Sequence, residues 1–218
     1  NFEGSVFSKN ARFTTLIFDL DGTLYPNNNG YVDHIRNNAE DYIHDTLGVP
    51  KENVSQVRKK ALALANQTAI GLQMQGYEFD KNEFVEHMRA GAENFLTPDP
   101  EVQDLLYSLP QPKWIFTNTS EKAAREAMDL LGISRYFNGV FGADFMGEMC
   151  KPQPEVFHKV LQYLKLEADS VVMFEDSLKN INTCKQLGIT TVFIRSDDPE
   201  QGFGEVTDSK AIDLADLV

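Results

Sequence analysis

Leu16-Ile17-Phe18-Asp19-Leu20-Asp21-Gly22-Thr23-Leu24-Tyr25 decides the reading of this chain. Leu16 to Phe18 is a short apolar run of the kind that forms a strand buried on both faces of a parallel sheet. Two carboxylates and a glycine follow where the chain must leave that sheet. In open α/β folds ligands bind at this carboxyl edge. Paired acids there can divide nucleophile and acid/base roles, or share a divalent cation. A calcium-binding EF-hand loop is ruled out, because it needs its glycine at position six and Gly22 stands at position four. An Asp/Gly surface turn seldom follows a wholly apolar strand. A metal-binding D-x-D of the glycosyltransferase kind stays open from this stretch alone.

The chain downstream answers it. Pro26-Asn27-Asn28-Asn29-Gly30 has the composition of a flexible joint. Helical spacing then places Ile35, Ala39, Tyr42, Ile43 and Leu47 on one face, with Gly48 as the stop. A second helix is expected over Val54 to Ala69, with Val57, Ala61, Leu64 and Ala65 inward, then a loop from Gly71 to Gly76. Asp80 with Glu83 forms a capping-box signature ahead of a third helix carrying Phe84, Met88 and Phe95. Asp99 and Pro100 are an N-cap and first residue for a short helix with Leu105 and Leu106 inward.

From Lys113 the period changes. Trp114 to Phe116, Val140-Phe141, Val171 to Phe174 and Thr191 to Ile194 have the character of strands. Helices separate them: one with Ala124, Ala127, Leu130 and Leu131 stopped by Gly132, one opened by Pro154, and one from Ser177 to Leu187. Alternation of this kind means βαβ units and an α/β fold with a Rossmann-like parallel sheet. The helical block interrupts the sheet after its first strand. The expected division is a catalytic core of residues 1–26 and 97–218, with an all-helical cap at 27–96.

In a parallel sheet the residues just past each strand collect along one edge. They are Asp19 and Asp21, Thr117 and Asn118, Lys151 ahead of a helix, and Glu175 and Asp176. A carboxylate to attack phosphorus, a second acid for the leaving group, and a hydroxyl, amide and ammonium to hold phosphoryl oxygens suit phosphoryl transfer. Four carboxylates against one lysine would repel a phosphate dianion without a divalent cation, and oxygen-only ligands favour Mg²⁺. Helix starts near Ser120 and Ser177 would add favourable dipoles.

Bulk properties narrow the classes. With 218 residues, 42% hydrophobic, the chain can bury a substantial core. A formal charge of −13 argues against nucleic acid and anionic membrane surfaces. No apolar run approaches the roughly 18 residues of a membrane span. Cys150 and Cys184, far apart, are expected to be reduced thiols rather than a disulfide or zinc pair. A cytoplasmic protein is expected, monomeric or weakly dimeric, with an organelle left open because the chain starts at Asn1 without a Met.

Read together, these stretches resemble the haloacid dehalogenase superfamily. Asp19-Leu20-Asp21-Gly22-Thr23-Leu24 is similar to its first motif, Phe116-Thr117-Asn118 to the second, Lys151-Pro152 to the third and Phe174-Glu175-Asp176-Ser177 to the fourth. The resemblance runs from about residue 14 to 195, and the cap position is that of the helical cap subclass. It implies that Asp19 attacks phosphorus to form an aspartyl phosphate, and that Asp21 protonates the leaving oxygen and then activates water. It also implies that Thr117, the Asn118 amide and Lys151 bind the phosphoryl group. Asp19, the Asp21 carbonyl and Asp176 would hold Mg²⁺, with Glu175 close by or bound through water. Dehalogenating relatives lack an acid at the position of Asp21. A phosphonate hydrolase would need a marked cap lysine, and nothing distinguishes Lys59, Lys60 or Lys81.

Within the superfamily, Asp21 to Pro26, Leu109 to Asn118 and Lys151 to Phe157 resemble the pyrimidine 5′-nucleotidase-like branch. The implied substrate is a nucleoside 5′-monophosphate or similar small phosphorylated metabolite, with Tyr25 and the 66–78 loop as leaving-group contacts. The alternatives are a sugar-phosphate or phosphoglycolate phosphatase, a β-phosphoglucomutase-like enzyme, and a catalytically silent phosphate-binding protein.

Overall fold

The computed structural model describes residues 12–194. Five strands form one parallel sheet: β1 (Thr15–Phe18), β2 (Lys113–Phe116), β3 (Gly139–Phe141), β4 (Val171–Glu175) and β5 (Thr190–Phe193). Their order is β3-β2-β1-β4-β5, so β1 is central. The chain builds outward on one side of β1, then returns to build on the other. The crevice between β1 and β4 is therefore the topological switch point, where such sheets take their ligands.

Every residue of β1 is buried, and alternation sends its side chains to two cores. Leu16 and Phe18 join one apolar cluster with Ile115 and Val172. Ile17 joins the other with Phe116, Phe141, Val171 and Met173. Phe18 stacks on Phe174 of β4 with ring centroids 4.3 Å apart. In register, Phe18 lies beside Ile115 on one side and Phe174 on the other. The residues that follow each strand thus leave the sheet at one level.

Four of the five α-helices between β1 and β2 form one block: α1 (Tyr31–Asp45), α2 (Lys51–Ala65), α3 (Thr68–Met74) and α4 (Lys81–Arg89). They enclose their own core of Ala39, Tyr42, Ile43, Val54, Ala61, Leu72 and Phe84. Then come α5 (Pro100–Ser108), α6 (Glu121–Leu130), α7 (Ala143–Met146), α8 (Pro154–Leu164) and α9 (Leu178–Gln186). The expected caps are in place: Asp80 accepts from the Asn82 and Glu83 N–H groups, Asp99 from Glu101, and Ser120 from Ala123.

Several local expectations fail for identifiable reasons. The loop expected at Gly71–Gly76 is largely helix α3. Gly71 sits there because α3 crosses α2 so closely that a Cβ would lie 1.9 Å from the Ala61 carbonyl oxygen. Helix α2 ends at Ala65, where Asn66 turns left-handed at φ 51°, four residues before the expected end. Leu64 and Leu105 face outward rather than inward. Helix α4 stops at Arg89, since Ala90 is extended and Gly91 has φ 84°. Phe95 therefore leaves the helix and packs against Tyr31 and His34.

The expected flexible joint is a hydrogen-bonded 3₁₀ turn, Asn27–Asn29. Asn29 accepts from the Tyr31 N–H at 2.9 Å and donates to the Phe95 carbonyl at 3.4 Å, tying the two ends of the helical block together. Cys150 and Cys184 are buried free thiols. Among the described residues no helix is long and apolar enough to cross a membrane.

Candidate active site

Asp19 is the first residue past β1, and its N–H still bonds to the Phe174 carbonyl at 2.9 Å, which fixes its backbone against β4. The turn that follows relies on Gly22 at φ 83°. A Cβ there would come within 2.3 Å of an Asp176 carboxylate oxygen. Glycine thus lets the β1 loop approach the β4 loop.

Lys151 is the centre of the charge arrangement. Its side chain is 1% exposed, and its ammonium donates to Asp19 Oδ1 at 2.7 Å, Glu175 Oε2 at 2.9 Å and the Phe116 carbonyl at 2.7 Å. Burial works against its charge, but Asp19 and Glu175 outweigh burial and hold its pKa well above the ordinary lysine value. Asp19 is pushed up to about 7, by burial first and the Glu175 charge next, against the opposing Lys151. Glu175 is also raised, chiefly by burial. Its second oxygen accepts from the Ser177 N–H at 3.1 Å.

Asn118 holds Lys151 from behind. Its side-chain amide donates to the Lys151 carbonyl at 3.0 Å and accepts from the Lys151 N–H at 2.8 Å. The side-chain amide is therefore committed to the lysine backbone. Thr117 is buried beside it, and its hydroxyl accepts from the Thr119 N–H at 3.2 Å. A cavity of about 390 Å³ is lined by Asp19, Asp21, Thr117, Asn118, Lys151, Glu175 and Asp176 together. The fold thus brings all seven sequence-derived core candidates to one hollow.

Tyr25 goes elsewhere. Its buried ring lies under the loop and its hydroxyl donates to Asp21 Oδ1 at 2.5 Å, so it supports the acid rather than reaching into that cavity. Burial and the Asp21 charge push its pKa well above the usual tyrosine value. Of the 66–78 segment, Asn66 to Ile70 line a second cavity of about 380 Å³ between the inserted helices and the sheet edge.

The sequence reading missed Arg89. The last residue of α4, it pairs end-on with Asp21: one terminal nitrogen donates to Oδ1 at 3.1 Å and the other to Oδ2. Burial acts to raise the Asp21 pKa, but Arg89 and the Tyr25 hydroxyl overcome it and lower the value. A count of four acids against one lysine could have prompted a search for a second cation. Further contacts hold the inserted helices over the edge: Gln67 donates to the Asn118 carbonyl at 2.9 Å, and the Cys150 thiol to the Ala65 carbonyl at 2.9 Å.

Asp19, Glu175 and Asp176 each offer an oxygen within 4.8 Å of the others, and all three are buried. Four carboxylates facing Lys151, Arg89 and, at the cavity wall, Lys179, with no sulfur or imidazole among the three clustered donors, fit a small hard divalent cation.

A buried carboxylate at the end of a central parallel strand, backed by a lysine and a cluster of acids, sits on a parallel α/β core with inserted helices. The chain belongs to the haloacid dehalogenase-like hydrolase family, whose model matches residues 13–188. It is 27% identical over 190 residues to a phosphorylated carbohydrates phosphatase of Thermotoga maritima, covering 82% of this chain and 83% of that protein. It is 30% identical over 127 residues to a phosphoglycolate phosphatase of Neisseria gonorrhoeae, covering 57% of this chain and 51% of that one. The L-2-haloacid dehalogenase of Xanthobacter autotrophicus superposes with TM-score 0.53 at 19% identity, over 82% of this chain and 76% of its own. A haloacid dehalogenase-like family protein of Streptococcus pneumoniae superposes with TM-score 0.55 at 20% identity, over 85% and 88%. At such identities the structural likeness is one of fold.

Proposed function

We propose that this protein is a Mg²⁺-dependent phosphomonoester hydrolase that works through an aspartyl phosphate on Asp19. The observation that carries the reading is the single cavity in which Asp19, Asp21, Thr117, Asn118, Lys151 and the two β4 acids meet. Asp19 attacks phosphorus, and the bond to the leaving oxygen breaks as Asp21 gives that oxygen a proton. Asp21, now a carboxylate, takes a proton from the water that attacks the aspartyl phosphate, which frees phosphate and restores Asp19. Lys151, the Thr117 hydroxyl and the Asn118 N–H hold the phosphoryl oxygens. The Arg89 pair favours the ionised Asp21 of the second step, while an incoming phosphate dianion favours the proton needed in the first. Asp19, the Asp21 carbonyl and Asp176 would hold Mg²⁺, with Glu175 beside them. When bound, the ion supplies positive charge to the transferring phosphoryl group. Residues 27–96 act as the cap that keeps bulk water from the site.

Two substrate classes follow. The motif resemblance favours nucleoside 5′-monophosphates, and the Thermotoga relative's name favours phosphorylated carbohydrates. A panel of nucleotides, hexose phosphates and phosphoglycolate, assayed for released phosphate with and without Mg²⁺, is the test. Mg²⁺-dependent release from at least one is expected. Failure on all of them would defeat the reading, and isomerised product without free phosphate would mark a mutase.

Stability gives an independent prediction for the metal. Asp19, near 7, and Glu175 bind protons in the folded state at pH values where the unfolded chain has lost them. Their contribution to stability is thus fully present below the ordinary carboxylate range and is lost as pH rises towards about 7. A divalent cation needs these groups deprotonated and offsets their repulsion. Mg²⁺ should therefore raise the melting temperature more at pH 8 than at pH 6. Equal shifts at the two pH values would contradict a metal held by these acids.

A further inference from the structure

Asp19 and Glu175 share the Lys151 ammonium, and Glu175 also takes the Ser177 N–H. Asp176, the third acid of the cluster, is held from another direction. The Asn27 side-chain amide donates to its Oδ2 at 3.2 Å, across 149 positions of sequence. Asn27 opens the 3₁₀ turn that leads into the inserted helices. Asparagines in such turns ordinarily serve the local backbone, as Asn29 does for the Tyr31 N–H. The bond from Asn27 depends on Gly22, where a Cβ would lie 2.3 Å from Asp176 Oδ2 and 2.5 Å from the Asn27 amide nitrogen. The bare face of that glycine gives the amide and the carboxylate room to meet.

We infer that Asn27 is a positioning residue, its amide holding the Asp176 carboxylate in the orientation that receives the metal ion. This rests on the reading of Asp19, Glu175 and Asp176 as the Mg²⁺ site. A carboxylate offers about four lone-pair positions, so one amide bond leaves others for a cation. The neutrality of the donor matters. The Lys151 ammonium orients Asp19 and Glu175 but offsets their charge, whereas an amide orients Asp176 and leaves its full charge to attract a cation. A carboxylate fixed beforehand also spares the rotamer freedom that binding would otherwise remove. Mg²⁺ demands near-ideal octahedral geometry and Ca²⁺ does not, so loosening Asp176 should cost Mg²⁺ more.

Dissociation constants for Mg²⁺ and Ca²⁺, read from the rise of melting temperature with metal concentration, provide the test on the substrate-free protein at pH 8. The variants are Asn27→Ala, the volume-keeping Asn27→Leu, Asn28→Ala and Asp176→Asn. Both Asn27 variants should bind Mg²⁺ about tenfold more weakly, the loss expected when an outer partner of a metal ligand is removed, and should lose less for Ca²⁺. Their turnover should return towards wild type at saturating Mg²⁺. Asn28→Ala, at an exposed position of the same turn, should keep the wild-type Mg²⁺ constant. An unchanged constant in the Asn27 variants, a loss confined to Asn27→Ala, or an equal loss in Asn28→Ala would overturn the inference. The metal site itself would still stand if Asp176→Asn abolishes binding. No Mg²⁺ binding by wild type, or full binding by Asp176→Asn, would remove both.

Discussion

Asp19→Asn should lower phosphate release by about four to six orders of magnitude, the loss seen when an essential nucleophile is removed from a hydrolase. The substitution is nearly isosteric. It keeps a hydrogen-bond acceptor for the Lys151 ammonium, 2.7 Å from Asp19 Oδ1, so the surrounding geometry has no cause to change. What disappears is the carboxylate that attacks phosphorus in the proposed cycle. The same change should leave the metal-free protein at least as stable at pH 8. Asp19 is buried beside Glu175, and burial and that neighbouring charge disfavour its ionisation and raise its pKa. Activity and stability should thus move apart. A fall in both together would indicate a misfolded variant, and retained turnover would show that Asp19 does not attack phosphorus.

The second large effect is at Lys151. Lys151→Met keeps the length of the side chain but removes the charge that joins Asp19 to Glu175 in the interior. Breaking a buried ion pair from one side costs about 3–5 kcal/mol, because the remaining charge is left uncompensated. Here two carboxylates are left. Protonation relieves them, so the loss should be small at pH 5 and should grow as pH rises past about 7, the Asp19 value. Urea melts at the two pH values would read this directly. Phosphate release should fall by orders of magnitude as well, because the lysine is a holder of the phosphoryl oxygens in the proposed cycle. A stability loss independent of pH would argue that Met packing, rather than charge, is at fault.

The difference between what the sequence revealed and what it concealed is one of range. The β1 strand and its acids are readable because an apolar run and the residues directly after it are local features. The sheet's parallel order then carries Thr117 and Glu175 to the same edge, whereas Lys151, beyond β3 and α7, is brought there by its bonds to Asn118 and Asp19. Arg89 could not be found in that way. Its meeting with Asp21 spans 68 positions and depends on how the inserted helices settle on the core. Gly71 misled because glycine is a breaker by local propensity, whereas here it serves the close crossing of α2 and α3. Phe95 misled for the reverse reason: its spacing continued a helix that Gly91 had already ended. Tyr25 stands one residue beyond a legible motif, yet only the folded loop shows its hydroxyl turned to Asp21.

The most direct measurement is an acid quench of the wild-type protein during turnover of its best phosphomonoester with Mg²⁺, followed by mass spectrometry of the peptide that contains Asp19. One phosphoryl group on Asp19, formed and lost at the rate of phosphate release and absent from Asp19→Asn, is the predicted result. Release of phosphate with the label on another residue, or undiminished release by Asp19→Asn, would contradict it.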